Sequence, residues 1–517
     1  MGSTFMGLET ARRGMLAQQS ALYTTGQNVA NASTPGYSRQ RVNFAQTEAY
    51  PSIGIDREQI PGQMGTGVKA GSIQRVRESF LDVQYRGENN KLGYWQTRSD
   101  AMSKLESIMN EPSDSGLAST MDQFWQSLQD LAVDPTNNGA RSVVRQRGEA
   151  VVDTFNYLSN SLSSIQKDQK SQVDVTVKEV NSILYQINKV NEQIGSVEPH
   201  GYLPNDLYDE RDRLIDQLSS IVNINVSYTK KAGNTDPKAE GQAVIKLVDD
   251  NGSELGILLG DSGMNELKVK DDGVDQSIKT ISLGNQSIDF TKMNSSGKLK
   301  ALIEAYGYEE NGKAAGVYND MLSELDRLAY TFATKFNEVH QNGFSPNEIK
   351  NKASDSIDFF ADSGNAAIAQ VGFASRIIIS DDIKESLDNI ATAGGTNVAE
   401  ATIGDATNVR ALANVINEKF DYKSGATVEL ADFRTYYQNV IGAMAVTSQQ
   451  AERLTSNSTF LQQAVDEKRQ SVSSVSLDEE MTNMIQFQHA YNASARMITM
   501  QDELLDKIIN GMGTGGR

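Results

Sequence analysis

The chain has 517 residues, with 48 Lys plus Arg against 67 Asp plus Glu, a formal net charge of −19 and no cysteine. That balance argues against nucleic acid, which needs a basic face, and the missing thiols exclude disulfides, thiol catalysis and cysteine-ligated metals. The length allows about two to four domains with ample core, and no stretch approaches the ~20 apolar residues of a membrane span, so no membrane insertion is expected.

The first predicted helix covers 4–30. Its apolar residues return every seventh position at Leu8, Met15, Leu22 and Val29, the mark of a helix that buries one narrow seam against another. The intervening seam positions, Ala11, Gln18 and Thr25, are small or polar, and Gly14 and Gly26 interrupt the run. Glycine costs roughly 1 kcal/mol against alanine inside a helix, so this segment is expected to be weak alone. Asn31, Pro35, Gly36 and Tyr37 form the turn that ends it.

Residues 38–85 read as extended, with short strands around Arg41–Phe44 and Val68–Val76. The run Gly65-Thr66-Gly67-Val68-Lys69-Ala70-Gly71 superficially resembles a dinucleotide loop, but its third glycine is out of register and it reads as a turn between strands. Helices follow at Ser79–Met109, from Leu117, and, after a break at Pro135, at Arg141–Ile194 and Asn205–Ile221. The texture then turns to Gly, Asp and β-branched residues. Gln242–Val248 and Glu254–Leu259 flank Asn251-Gly252 as a hairpin, and Thr280–Leu283 and Ser287–Phe290 flank Gly284-Asn285 in the same way. Helical spacing resumes at 315–341, a strand is expected at Ser375–Ile379, and the chain is mainly helical from Asn408 onward.

The last helix repeats the seven-residue pattern with Leu477, Met484, Tyr491, Ile498 and Leu505. Between them lie Met481, Gln488, Ala495, Asp502 and Ile509, again mixed. Ser476-Leu477-Asp478-Glu479 fits a capping box, which accounts for the acidic cluster Asp478-Glu479-Glu480 without a carboxylate site. This helix carries more acid than base, which disfavours a membrane-surface role. The two seams are expected to lie side by side and act as an assembly device, mobile in the free monomer and ordered on assembly. The alternative is an internal two-helix seam of one stable domain.

The fold class expected is α+β, mainly α: a long-helix bundle built from both chain ends with β-rich material inserted in the middle. The expected divisions are 1–45 and 474–517, the halves of an inner helical domain; 46–224, 311–343 and 405–473, a helical core; 225–310, an inserted β-rich domain; and 344–404, a small mixed segment. Each outward domain would be one continuous loop of the layer inside it. The histidines His200, His340 and His489 are widely separated, and none has a metal-ligand neighbour at the right spacing. His489 reads as a surface or interface residue. No nucleophile elbow, phosphate loop or catalytic triad spacing is present, so no enzyme activity, metal or cofactor is expected.

The end motifs carry a resemblance. Asn28-Val29-Ala30-Asn31-Ala32-Ser33-Thr34-Pro35-Gly36-Tyr37-Ser38-Arg39-Gln40 and the stretch from Ser476 through Gln486-Phe487-Gln488-His489-Ala490-Tyr491-Asn492-Ala493-Ser494-Ala495-Arg496 resemble the terminal signatures of the bacterial flagellar axial proteins, the rod, hook and junction subunits. The wording Pro35–Gln40, with Asp206–Asp216 and Phe336–Gly343, resembles the hook-associated junction branch of that family. The resemblance is specific in the helical parts and weak across 225–305 and 345–400.

It implies a structural subunit of the extracellular flagellum joining the flexible hook to the stiff filament, exported unfolded through the type III apparatus without a cleaved signal peptide. Implied partners are other copies in a ring or tubular zone, hook protein, a second junction protein or filament subunit, and an export chaperone on the C-terminal helix. The runner-up readings are a hook or distal rod protein, and a flagellum-associated peptidoglycan hydrolase with axial termini. The latter would need an acidic pair in a carbohydrate cleft.

Overall fold

The computed structural model describes residues 5–511 except 52–61, 110–112, 114, 115, 234, 365–367 and 422–429. Residue 4 and residues 512–517, which the expected terminal segments include, lie outside the described residues. The chain opens with α1 (Phe5–Ala30), the strands β1 (Gln40–Gln46) and β2 (Val68–Arg75), and the helices α2 (Ser79–Met109), α3 (Leu117–Leu131), α4 (Asn138–Val197) and α5 (Asn205–Ile221). Then come β3 (Ile224–Thr229), β4 (Gln242–Val248), β5 (Glu254–Gly260), β6 (Gly263–Met264), β7 (Leu267–Lys270), β8 (Thr280–Leu283) and β9 (Gln286–Asp289). The return passes through α6 (Lys298–Tyr306), β10 (Tyr308–Glu310), β11 (Lys313–Ala315), α7 (Val317–Gln341), α8 (Pro346–Asn351), β12 (Phe360–Asp362), β13 (Ile377–Ile379) and α9 (Asp381–Glu385). It ends with α10 (Thr407–Asn414), β14 (Phe420–Asp421), β15 (Leu430–Ala431), α11 (Phe433–Ser473) and α12 (Leu477–Gly511).

Two compact units emerge. The first holds 1–91, 179–266 and 458–517; the second holds 92–178 and 267–457. The divisions at 91, 178 and 457 fall inside α2, α4 and α11, which continue without a break. This differs from the nested single-loop expectation, because the chain returns to the first unit between its two visits to the second. The expected insert at 225–310 is also divided. The antiparallel sheet β3-β4-β5-β6 belongs to the first unit and β7-β8-β9 to the second. Both predicted hairpins form, with Leu283 opposite Gln286 across a two-residue turn and Gly252 at φ 84° in the other. Both turns use glycine at positive φ, where a Cβ would strain the backbone.

In the second unit α3 puts Leu117, Met121, Phe124, Leu128 and Leu131 on one buried face at three- and four-residue spacing. α7 answers with Leu325, Leu328, Phe332 and Phe336. Phe124, Phe332, Phe336, Phe359 and Phe360 make an aromatic core, with centroids 4.8 Å apart for Phe332–Phe360 and 5.4 Å for Phe124–Phe336. Full burial of each ring contributes ~2–3 kcal/mol.

The Phe336–Gly343 motif anchors this core through its polar members. Asn337 donates to the Phe360 carbonyl at 2.7 Å and accepts from the Phe359 and Phe360 amides at 3.0 Å. His340 receives the Ala391 amide at Nε2 (3.1 Å), so Nδ1 carries the proton given to the Ile357 carbonyl (2.8 Å). Burial lowers the imidazole pKa to about 4, although the hydrogen bond to the Ile357 carbonyl and the Glu348 charge both favour the protonated ring.

Candidate functional site: a polar knot joining the chain ends

In the first unit α1 packs antiparallel on α12. A Cβ built at Gly7 would meet the Gln501 side chain at 3.1 Å, and one at Gly14 would meet Ser494 Oγ at 3.2 Å. Asn28 Nδ2 donates to Glu480 Oε2 at 3.1 Å. These pairs step by seven residues along both helices in opposite directions and put Ala21 opposite Phe487. Small residues on α1 therefore face larger ones on α12, and the helices approach closely where no side chain intervenes.

Leu8, Met15, Leu22 and Val29 lie half-buried one position beside that stripe, and Met484, Tyr491, Ile498 and Leu505 are half-buried along α12. Leu477 is 52 % exposed and stands outside the contact. Of the expected intervening positions, Met481, Gln488, Asp502 and Ile509 point to solvent and Ala495 is half-buried. The second row of the α12 seam is instead Glu480, Phe487, Ser494 and Gln501. Apolar periodicity missed it because three of its four members are polar. Gly7, Gly14, Ala21 and Asn28 were readable as a small-residue septet, and Gly14 is a contact rather than an interruption.

At one end of the pair the seam becomes wholly polar. Asn28 is 1 % and Glu480 2 % exposed. Asn28 Nδ2 also donates to the Gln40 carbonyl (2.8 Å), while its Oδ1 accepts from the Gln40 amide and the Tyr37 hydroxyl, both at 2.9 Å. Both donor hydrogens and both acceptor positions of the amide are thus used. Glu480 Oε1 accepts from Arg39 Nε at 2.7 Å, and Arg39 Nη1 pairs with Glu479 at 2.6 Å. The capping box is half made: the Glu479 amide points at Ser476 Oγ at 3.5 Å, while its carboxylate is committed to Arg39. Glu480 is a buried interface acid and more than a helix-end charge.

The turn motif makes this geometry possible. Thr34 N–H donates to the Asn31 carbonyl at 2.9 Å and Tyr37 N–H to Thr34 at 3.2 Å. Gly36 takes φ 82°, which favours glycine, and Pro35 stays exposed. The chain so reverses that residues 37–40 come back beside the last turns of α1. Burial first, then Asp206, Asp209 and Glu480, push the Tyr37 hydroxyl well above its usual range, so it stays a donor.

The knot continues into the acidic face of α5. The Ser38 amide donates to Asp209 (3.0 Å) and Gln40 Nε2 to Asp206 (3.1 Å). Asp212 lies between Arg75 (2.9 Å), Arg77 (3.0 Å) and Arg86 (3.4 Å); Asp216 holds Arg86 (2.8 Å) and Arg469 of α11 (2.6 Å); and Glu240 holds Arg75 and Arg211, both at 2.5 Å. Burial alone would raise the Asp212 carboxyl, but Arg77, Arg75, Arg211 and Arg86 outweigh it and hold it well below the usual range. Asp209 goes the other way, raised by burial that Arg75 only partly offsets. A cleft of about 650 Å³ opens beside the knot, lined by the turn residues and by Tyr85, Arg213, Arg469 and Gln470.

The arrangement joins segments that lie far apart in the sequence. Among the described residues no group of three or more His, Asp or Glu side chains could hold a metal ion, and no helix is long and apolar enough to cross a membrane. His489 is exposed on α12.

Both halves of the knot lie in segments that match models of axial proteins. Residues 8–37 match the flagella basal body rod protein family and 467–511 the C-terminal family of flagellar basal body rod FlgEFG proteins. Residues 102–357 match the flagellar hook-associated protein FlgK helical domain. The fold is similar to the flagellar hook junction protein FlgK from Burkholderia pseudomallei, with a TM-score of 0.60 at 13% identity over 76% of this chain and 100% of that one. Flagellar hook-associated protein 1 of Escherichia coli is 24% identical over 97% of this chain and 99% of its own. Flagellar hook-associated protein 1 of Bacillus subtilis is 46% identical over 100% of both chains. Likeness of that degree along the whole of both sequences means that the chain belongs to the flagellar hook-associated protein 1 family.

Proposed function

We propose that this chain is a structural subunit of the joint between flagellar hook and filament, and that its terminal helices gain their stability on assembly. The observation that carries the reading is the α1–α12 pair. Its mutual seam is shallow, with Leu8, Met15, Tyr491 and Ile498 only half-buried, while Leu16, Tyr23, Met497 and Leu504 stay exposed on other faces. A pair of helices backed mainly by the β1–β2 hairpin, with so much uncovered apolar surface, gains by packing against further helices of the same kind. Other copies in a ring or tubular zone, hook protein, and a second junction or filament subunit are the partners that would cover it. Before assembly an export chaperone would shield α12, and the chain would leave the cell unfolded, without a cleaved signal.

A rod or hook subunit is the second reading, favoured by the rod-family matches at the ends. The match at 102–357 favours the junction. Tyr491→Asp tests the proposal: the second unit should keep its cooperative unfolding while incorporation into flagella is lost. Normal filament attachment by that variant would overturn the role given to the seam.

A further inference from the structure

We propose that Asn28 and Glu480, with Arg39, set the register of the α1–α12 pair. The seam itself does not fix it. Gly7, Gly14 and Ala21 recur every seven residues on one helix and Gln501, Ser494 and Phe487 on the other. Sliding α12 by seven residues therefore brings small residues opposite the same row again, with Gly14 facing Gln501 and Ala21 facing Ser494. The slip costs some overlap, but along this stripe the incoming Gln501 and Ser494 side chains again meet glycine and alanine.

The polar layer forbids it. After the slip Asn28 would face Phe487, losing the acceptor of one Nδ2 hydrogen, and Glu480 would face the 31–37 turn, away from Arg39 Nε. A buried amide and a buried carboxylate would both be left short of partners, and removing one partner of a buried charge costs several kcal/mol. The buried layer thus serves as a positioning device, as a polar residue in an apolar helix seam does elsewhere. It also ties register to the turn, because Asn28 is held by the Gln40 backbone on its other side.

The missing cysteines make the test direct. Gly14→Cys with Ser494→Cys places two thiols in contact in the native register, whereas Ala21→Cys with Ser494→Cys joins positions that meet only after the slip. In the native register that second pair is offset by ~10 Å along the axis, beyond disulfide reach. Each pair is made in the full chain with the knot intact and with Asn28→Leu plus Glu480→Leu, changes that turn the polar layer apolar and leave the helices able to pair. Mild oxidation followed by peptide mass spectrometry reads the intramolecular disulfides. With the knot intact the native pair should exceed the slipped pair tenfold or more; with both leucines the slipped pair should rise to a comparable yield. A slipped pair that forms with the knot intact, stays absent without it, or a loss of both pairs in the leucine variant would each overturn the assignment. Failure of the native pair with the knot intact would overturn the register itself.

Discussion

Asp212 meets three guanidinium groups at a site with almost no solvent, and its ionised form is what those cations require. Asp212→Asn should destabilise the first unit by about 3–5 kcal/mol, the usual cost of breaking a buried charge group from one side. The urea midpoint reports this, and added salt should change the difference little, because buried pairs are poorly screened. His340 gives the second unit a pH dependence of defined sign. In the unfolded chain the imidazole takes a proton near 6.5, in the fold only at about 4. Its contribution is therefore fully present above 6.5 and is lost as pH falls toward 4, by about 3 kcal/mol. His340→Gln keeps a donor and an acceptor but cannot titrate. The difference between the two urea-stability profiles across that window should follow this course, and parallel profiles would refute it.

The helices were readable individually because their signals are local: Pro135 between α3 and α4, the turn Asn31–Tyr37 after α1, Ser476 before α12. Their pairing was only half readable. Seven-residue spacing found the right two helices, but apolarity picked the row beside the contact on α1, and Leu477 was included because periodicity carries no information about where a partner ends. The glycines give an element-scale prediction. A Cβ at Gly26 would meet nothing within 4 Å, so Gly26→Ala should stabilise α1 by up to ~1 kcal/mol. Gly14→Leu, despite better helix propensity, should separate α1 from α12, because even a Cβ stands 3.2 Å from Ser494 Oγ. Hydrogen exchange in α1 distinguishes the two, slower for the first and faster for the second.

The division into two units was not legible, for a physical reason. α4 and α11 cross the divisions with no Gly or Pro to mark the place, α2 crosses between Gly87 and Gly93 without interruption of the helix, and the acid–arginine cluster gathers β2, α2, α5 and α11 from far apart in the sequence. The units also differ in what holds them. An aromatic core fills the second, whereas α1 and α12 of the first rest on a thin seam and a polar knot. In the free chain, where the pair opens and recloses, exchange should be faster over 5–40 and 477–511 than in α3 and α7; ends as protected as α3 and α7 would mean that the helices already pair stably before assembly.

The Asn28–Glu480 contact spans 452 positions. Closing so long a loop in an open chain costs about 5 kcal/mol in entropy, most of which disappears once the intervening body has folded. The ends must then be the last part to settle, whatever the order in which they emerge. Asn28 and Arg39 wait for an acid that the chain supplies only once α12 has begun. A product cut short between the end of α11 and Glu480 would keep its body and lack the closing partner. The knot therefore works as a checkpoint, admitting to the finished pair only molecules in which α12 has been made and delivered.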